Sequence, residues 1–189
     1  MQLSKFEKNN LILAIKNSEN LVKKWQESKE ILPAQEIAKR ILIVEDCLFQ
    51  QAIAEILIQS ALINKKLPPL SIAKEQTVKG ALDVIRREKG NLKAIFLDLR
   101  LSDKCGLHLL REMKSDIRIV HKDTPVIVMS ANKQNSEDVD FIKILAEIRT
   151  YNNVIHYIEK GVGDIYNNDS QQSLDLQQAL MFSLAKKVN

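Results

Sequence analysis

The chain has 189 residues, 45% of them hydrophobic and 28% charged, which is enough apolar material for one substantial domain and unlike a disordered chain. No apolar run approaches the roughly 18 residues of a membrane span, and the opening MQLSKFEKNN lacks the basic start and long apolar stretch of a signal peptide. The net charge of +4 is spread evenly, and no Lys/Arg run is interleaved with aromatic residues, which argues against a nucleic-acid partner.

Residues 1–39 read as a helical extension. Ser4-Lys5-Phe6-Glu7 has the form of a capping box, in which the two side chains satisfy free backbone donors of a first helical turn. Leu11, Ile15, Val22, Trp25 and Leu32 then fall on one stripe of alternating four- and three-residue steps that ends at Pro33. The stripe fits a helix folded back on its own domain and equally a pairing helix. Ser18 and Lys29 in the seam do not separate the two.

From Arg40 onward, short apolar runs alternate with amphipathic stretches. The runs are Ile41–Val44, Ala94–Leu97, Pro125–Met129 and Val154–Ile158, with a weaker one at Leu70–Ala73 after Pro68-Pro69. Rich in β-branched residues and not alternating in polarity, they predict strands buried on both faces of a parallel sheet. Helices are predicted over 48–63 (Ile53, Ile56, Leu57 and Ser60 on one face), 77–89 (Val78, Ala81, Leu82, Ile85) and 107–114 (Leu107, Leu110, Met113). Two more are predicted over 137–149 (Ile142, Leu145, Ile148) and 173–186 (Leu176, Leu180, Leu184). Five strand–helix repeats with short connections argue a doubly wound α/β fold over residues 40–189.

Ligands of such sheets sit beyond the carboxyl ends of the strands. There the first run ends in Glu45-Asp46, the third strand in Asp98 and the fourth in Ser130-Ala131, while Lys160 follows the fifth. A polar residue at one strand end is ordinary, because strand ends meet water. All five together converge on one edge. Three close carboxylates require a counter-charge, and a hard divalent cation with oxygen ligands, Mg²⁺ or Mn²⁺, supplies it. One carboxylate would then be left to attack a phosphoryl group whose oxygens Ser130 and Lys160 hold.

Taken together, Ile41-Leu42-Ile43-Val44-Glu45-Asp46, Ile95-Phe96-Leu97-Asp98-Leu99-Arg100-Leu101, Val126-Ile127-Val128-Met129-Ser130-Ala131 and Tyr157-Ile158-Glu159-Lys160 resemble the receiver domain of two-component response regulators. Gly106, eight residues past Asp98, also falls where that family has a glycine. The resemblance implies a flavodoxin-like five-stranded sheet of order 2-1-3-4-5. It implies that Asp98 accepts a phosphoryl group from a histidine kinase or histidine phosphotransfer protein, and that the chain switches a downstream protein target without being an enzyme. Glu45, Asp46, Asp98 and the backbone carbonyl of Arg100 would surround the metal ion. Ser130 and Lys160 would contact the phosphoryl group, and Tyr157 would be the aromatic switch. Self-association would use the N-terminal helix or the face of the fourth helix, fifth strand and fifth helix.

Several positions depart from the family pattern. Gly161 follows the lysine where proline is usual, Ser102 stands where the loop after the third strand usually has proline, and the stretch from Ser130 to Lys160 is longer, predicting a longer fourth helix. Two other readings remain: a degenerate receiver that binds partners without phosphorylation, and a haloacid-dehalogenase-like phosphohydrolase. The second places an aspartate two residues after its nucleophile, where this chain has Arg100. His108, His121 and His156 are dispersed and read as structural, and none precedes residue 108, so the N-terminal helix holds no phosphoaccepting histidine. Cys47 and Cys105 form no CxxC pair, which argues against zinc or a disulfide framework and makes a reducing cytoplasm the expected location.

Overall fold

A computed structural model describes residues 40–67, 70–88, 90–119, 122–131, 138–160 and 178–179. Five strands, β1 (Arg40–Val44), β2 (Ser71–Glu75), β3 (Leu92–Asp98), β4 (Val126–Ser130) and β5 (Val154–Glu159), form one parallel sheet of order β2-β1-β3-β4-β5. Between them run α1 (Leu48–Asn64), α2 (Val78–Glu88), α3 (Leu107–Ser115) and α4 (Val139–Ile148). This is the doubly wound order implied by the sequence resemblance.

The unpatterned apolar runs have a direct cause. Successive side chains of a strand point to opposite faces, and both faces of β1, β3 and β4 are covered, whereas the edge strands β2 and β5, expected to be buried on both faces, are mostly only partly buried. Leu42 and Val44 of β1, Ile95 and Leu97 of β3 and Val126 and Val128 of β4 enter one core beneath α2, α3 and α4. Ile41 and Ile43, Ala94 and Phe96, and Ile127 and Met129 enter a second core with Ile58 and Leu62 of α1. Ala179, helical with Gln178, is buried in that second core, within the segment predicted as the last helix. The register pairs Val44 with Glu75 and Leu97, Asp98 with Met129, and Ser130 with Glu159, so the carboxyl ends of all five strands reach a common edge.

Two predicted helix faces are corrected. In α1 the buried set is Gln51, Ile53, Ala54, Ile58, Ala61 and Leu62, with Leu57 packed against the second core as expected, whereas Ile56 and Ser60 are only partly covered. Apolar residues surround this helix, so periodicity did not single out a face, and the sheet chose it. In α4, Leu145 and Ile148 are buried as expected, but Phe141 takes the place assigned to Ile142, which is 48% exposed.

The fourth helix begins after Asp138, whose side chain accepts hydrogen bonds from the amides of Asp140 and Phe141 as an N-cap. Its described part has ten residues, Val139–Ile148, within the predicted range 137–149. The expected helix over 1–39, Ser136, Glu137, His121, Gly161 and Leu176, Leu180 and Leu184 fall outside the described residues. Among the described residues no helix is long and apolar enough to cross a membrane.

Candidate functional site

Glu45 leaves the end of β1, Asp98 closes β3, Ser130 closes β4 and Lys160 follows β5. Parallel strands in register carry these positions to one edge of the sheet. The Lys160 amide donates to the Ser130 carbonyl at 2.7 Å, which extends the β4–β5 pairing to the site itself. Glu45, Asp98 and Ser130 are buried, Asp46 and Lys160 partly so.

The three carboxylates of Glu45, Asp46 and Asp98 each offer an oxygen within 4.8 Å of the others. Lys160 Nζ lies 2.8 Å from Asp98 Oδ2 and also pairs with the Glu45 carboxylate. One ammonium thus answers two buried carboxylates. Burial pushes the Glu45 carboxyl above its ordinary value, with Asp98 adding to the rise, while the hydrogen bond and charge of Lys160 oppose it. A cluster of hard oxygen donors with excess negative charge has the chemistry of a Mg²⁺ or Mn²⁺ site, and the residues present fit such an ion.

Local backbone geometry holds the acids in place. The Cys47 amide donates to Glu45 Oε1 at 3.2 Å, and the Arg100 amide to Asp98 Oδ1 at 3.3 Å. Gly106 packs against the Asp98 backbone so closely that a Cβ there would collide with the Asp98 carbonyl oxygen. The Gly106 amide donates to the Leu99 carbonyl at 2.9 Å, closing the base of the loop that carries Arg100. The Arg100 side chain is exposed; its backbone lies in this loop, two residues past Asp98.

Tyr157 lies within β5 opposite Val128 and packs on the core beneath α2, α3 and α4. Its phenol interacts with the Ser130 side chain and feels the charges of Glu159 and Asp98. Burial pushes this phenol above its usual range, against the lowering effect of Ser130.

Sequence reasoning missed three supporting residues. Gln51 is buried on α1, and its amide nitrogen donates to the carbonyls of Glu45 at 2.8 Å and Glu75 at 3.0 Å. Gln76 donates to the Asp46 carbonyl at 3.3 Å, and Asp103 reaches α2 from the loop after β3. The available signal for Gln51 was a polar residue three and seven positions before Ala54 and Ile58 on an otherwise apolar helix face. Cys47 and Cys105 are free thiols, His108 contacts the Cys105 carbonyl at 3.2 Å, and His156 lies in β5 opposite Ile127.

Neither a protein-family model nor a curated protein sequence matches the chain. Solved structures do match. The receiver domain of sensor histidine kinase PA1611 from Pseudomonas aeruginosa PAO1, which holds a magnesium ion in its active-site cleft, superposes with a TM-score of 0.54 at 20% identity, over 78% of this chain and 98% of that one. The chain has the receiver fold. A sensor protein from Polaromonas sp. JS666 matches with a TM-score of 0.52 at 24% identity, over 76% of this chain and 97% of that one. A response regulator receiver domain from Rhodospirillum rubrum matches with a TM-score of 0.52 at 21% identity, over 77% of this chain and 94% of that one. In this receiver fold the carboxyl edge of the sheet is where Glu45, Asp46, Asp98, Ser130 and Lys160 meet.

Proposed function

We propose that the chain is a phospho-acceptor receiver, phosphorylated on Asp98 in the presence of Mg²⁺ or Mn²⁺ by a histidine kinase or histidine phosphotransfer protein. The observation that carries this reading is the arrangement of Lys160 between Asp98 and Glu45, with Asp46 completing the acidic set.

Glu45, Asp46, Asp98 and the Arg100 carbonyl would hold the cation, which when bound neutralises charge on the incoming phosphoryl group. An oxygen of Asp98 forms the new bond to phosphorus as the bond from phosphorus to the donor's histidine nitrogen breaks, and the product is an acyl phosphate. Lys160, already 2.8 Å from Asp98, offsets the added charge, and the Ser130 hydroxyl donates to a phosphoryl oxygen. Because the Ser130 hydroxyl acts on the Tyr157 phenol, turning that hydroxyl toward a phosphoryl oxygen would change the surroundings of Tyr157. That change couples the charge at Asp98 to the surface of β5, where a downstream protein would read it.

Intact mass after incubation with acetyl phosphate tests the reading. A Mg²⁺-dependent phosphoryl adduct, absent in Asp98→Asn, is expected. No adduct in the wild type overturns the reading in favour of a binding module, and rapid multiple turnover of small phosphate esters overturns it in favour of a hydrolase.

A further inference from the structure

The loop from Arg100 to Cys105 is held at both ends. At its base, the Gly106 amide bonds to the Leu99 carbonyl, and Arg100 and Cys105 form an isolated antiparallel bridge. At its tip, both carboxylate oxygens of Asp103 accept from the amide of Val78, at 3.2 and 3.1 Å. Val78 is the first residue of α2. The first amides of a helix have no partner within it. Here Thr77 Oγ1 accepts from the Gly80 amide at 3.0 Å, the Thr77 carbonyl accepts from the Ala81 amide, and the Val78 amide is left for Asp103. A residue 25 positions further along the chain therefore completes the cap of α2. The bond suits both parties, since a carboxylate at a helix N-terminus is favoured by the helix dipole.

We propose that Asp103 is a positioning residue for cation binding: by fastening the loop tip to the start of α2, it fixes where the Arg100 carbonyl stands relative to Asp98. The proposal rests on the reading of Asp98 and its neighbours as a Mg²⁺ site. Asp103 is not one of the carboxylates grouped at the sheet edge, and acts through the backbone.

The test is isothermal titration of Mg²⁺ alone into the full-length protein, with backbone amide exchange recorded on the metal-free form. Asp103→Ala is expected to bind Mg²⁺ about tenfold more weakly, the scale typical of lost outer supports at metal sites. Exchange at Arg100–Cys105 and at Val78 is expected to accelerate without metal. Asp103→Asn, whose side-chain oxygen caps a helix as well as aspartate does, is expected within about twofold of wild type. Asp116→Ala serves as a stability control, because it removes the partner of Arg86 near the opposite end of the same helix, and it is expected to leave Mg²⁺ affinity unchanged.

Equal losses in Asp103→Asn and Asp103→Ala assign the effect to charge and overturn the positioning role. So does an equal loss in Asp116→Ala, or an unchanged affinity in Asp103→Ala. A wild-type protein that takes up no Mg²⁺ sinks the receiver reading and the metal role of Asp103 with it.

Discussion

Lys160 Nζ stands 2.8 Å from Asp98 Oδ2 while also pairing with Glu45, so a single side chain 14% exposed balances two carboxylates at the carboxyl edge of the sheet. Replacing it with a neutral residue leaves both carboxylates uncompensated. Lys160→Met is expected to lose about 3 kcal/mol of stability in metal-free buffer, as for a broken buried ion pair. Added Mg²⁺ should stabilise this variant more than wild type, since the ion replaces the missing charge. Urea unfolding with and without Mg²⁺ checks this, and an equal Mg²⁺ gain in both proteins would contradict it.

Gln51 ties α1 to the ends of β1 and β2 through two backbone carbonyls. Gln51→Leu takes this donor from the buried Glu45 carbonyl, while the Glu75 carbonyl keeps the Glu45 amide, and is expected to cost about 1 kcal/mol. Gln51→Glu is expected to cost more, because a carboxylate has no proton to offer either carbonyl. Denaturation midpoints of the two variants give the order, and a Glu variant as stable as wild type would refute the assignment.

Two glycines should respond in opposite directions. A Cβ at Gly106 meets the Asp98 backbone, which cannot move without shifting the Asp98 carboxylate, so Gly106→Ala is expected to destabilise by about 2 kcal/mol and to weaken Mg²⁺ binding. At Gly80 the nearest atom is the far end of the Glu75 side chain, which can swing aside. Gly80→Ala is therefore expected to stabilise by about 0.5 kcal/mol through reduced unfolded-state freedom. Thermal unfolding of both variants decides the signs.

Asp116 joins the end of α3 to α2 and to its own loop. Hydrogen bonds from the Arg118 side chain, the Arg118 amide and Arg86 hold its carboxyl well below the usual carboxylate range. The folded protein thus releases this proton more readily than the unfolded chain. The resulting stabilisation is full above the unfolded value of about 4 and is lost as the pH falls toward the depressed one. Asp116→Asn should be less stable than wild type at neutral pH, with the difference shrinking as the solution is acidified below about pH 4. Unfolding midpoints across that range test it; a gap constant with pH would remove Asp116 as the source.

Much of the site was legible because of where strands end. Glu45, Asp46, Asp98, Ser130 and Lys160 each follow an apolar run, and an apolar run buried on both faces has to stop where the sheet meets water. The interaction of Tyr157 with Ser130 was not legible, since nothing in the spacing of the two residues says that a phenol in β5 reaches a hydroxyl at the end of β4. The buried faces of α1 and α4 were misread at Ile56, Ser60 and Ile142. Helices with apolar residues on several sides leave the choice of face to the surface they pack on.

Local pattern alone determined the strands, their parallel arrangement and the acidic edge, because burial on two faces and exposure at strand ends are properties of short segments. Only the tertiary structure decided how that edge is supported. Gln51 reaches Glu75 across 24 residues, Asp103 reaches Val78 across 25, and Lys160 joins Glu45 across 115. Such contacts depend on register and on the placing of loops. A hydrogen bond between distant residues exists only once the sheet has brought their backbones within reach.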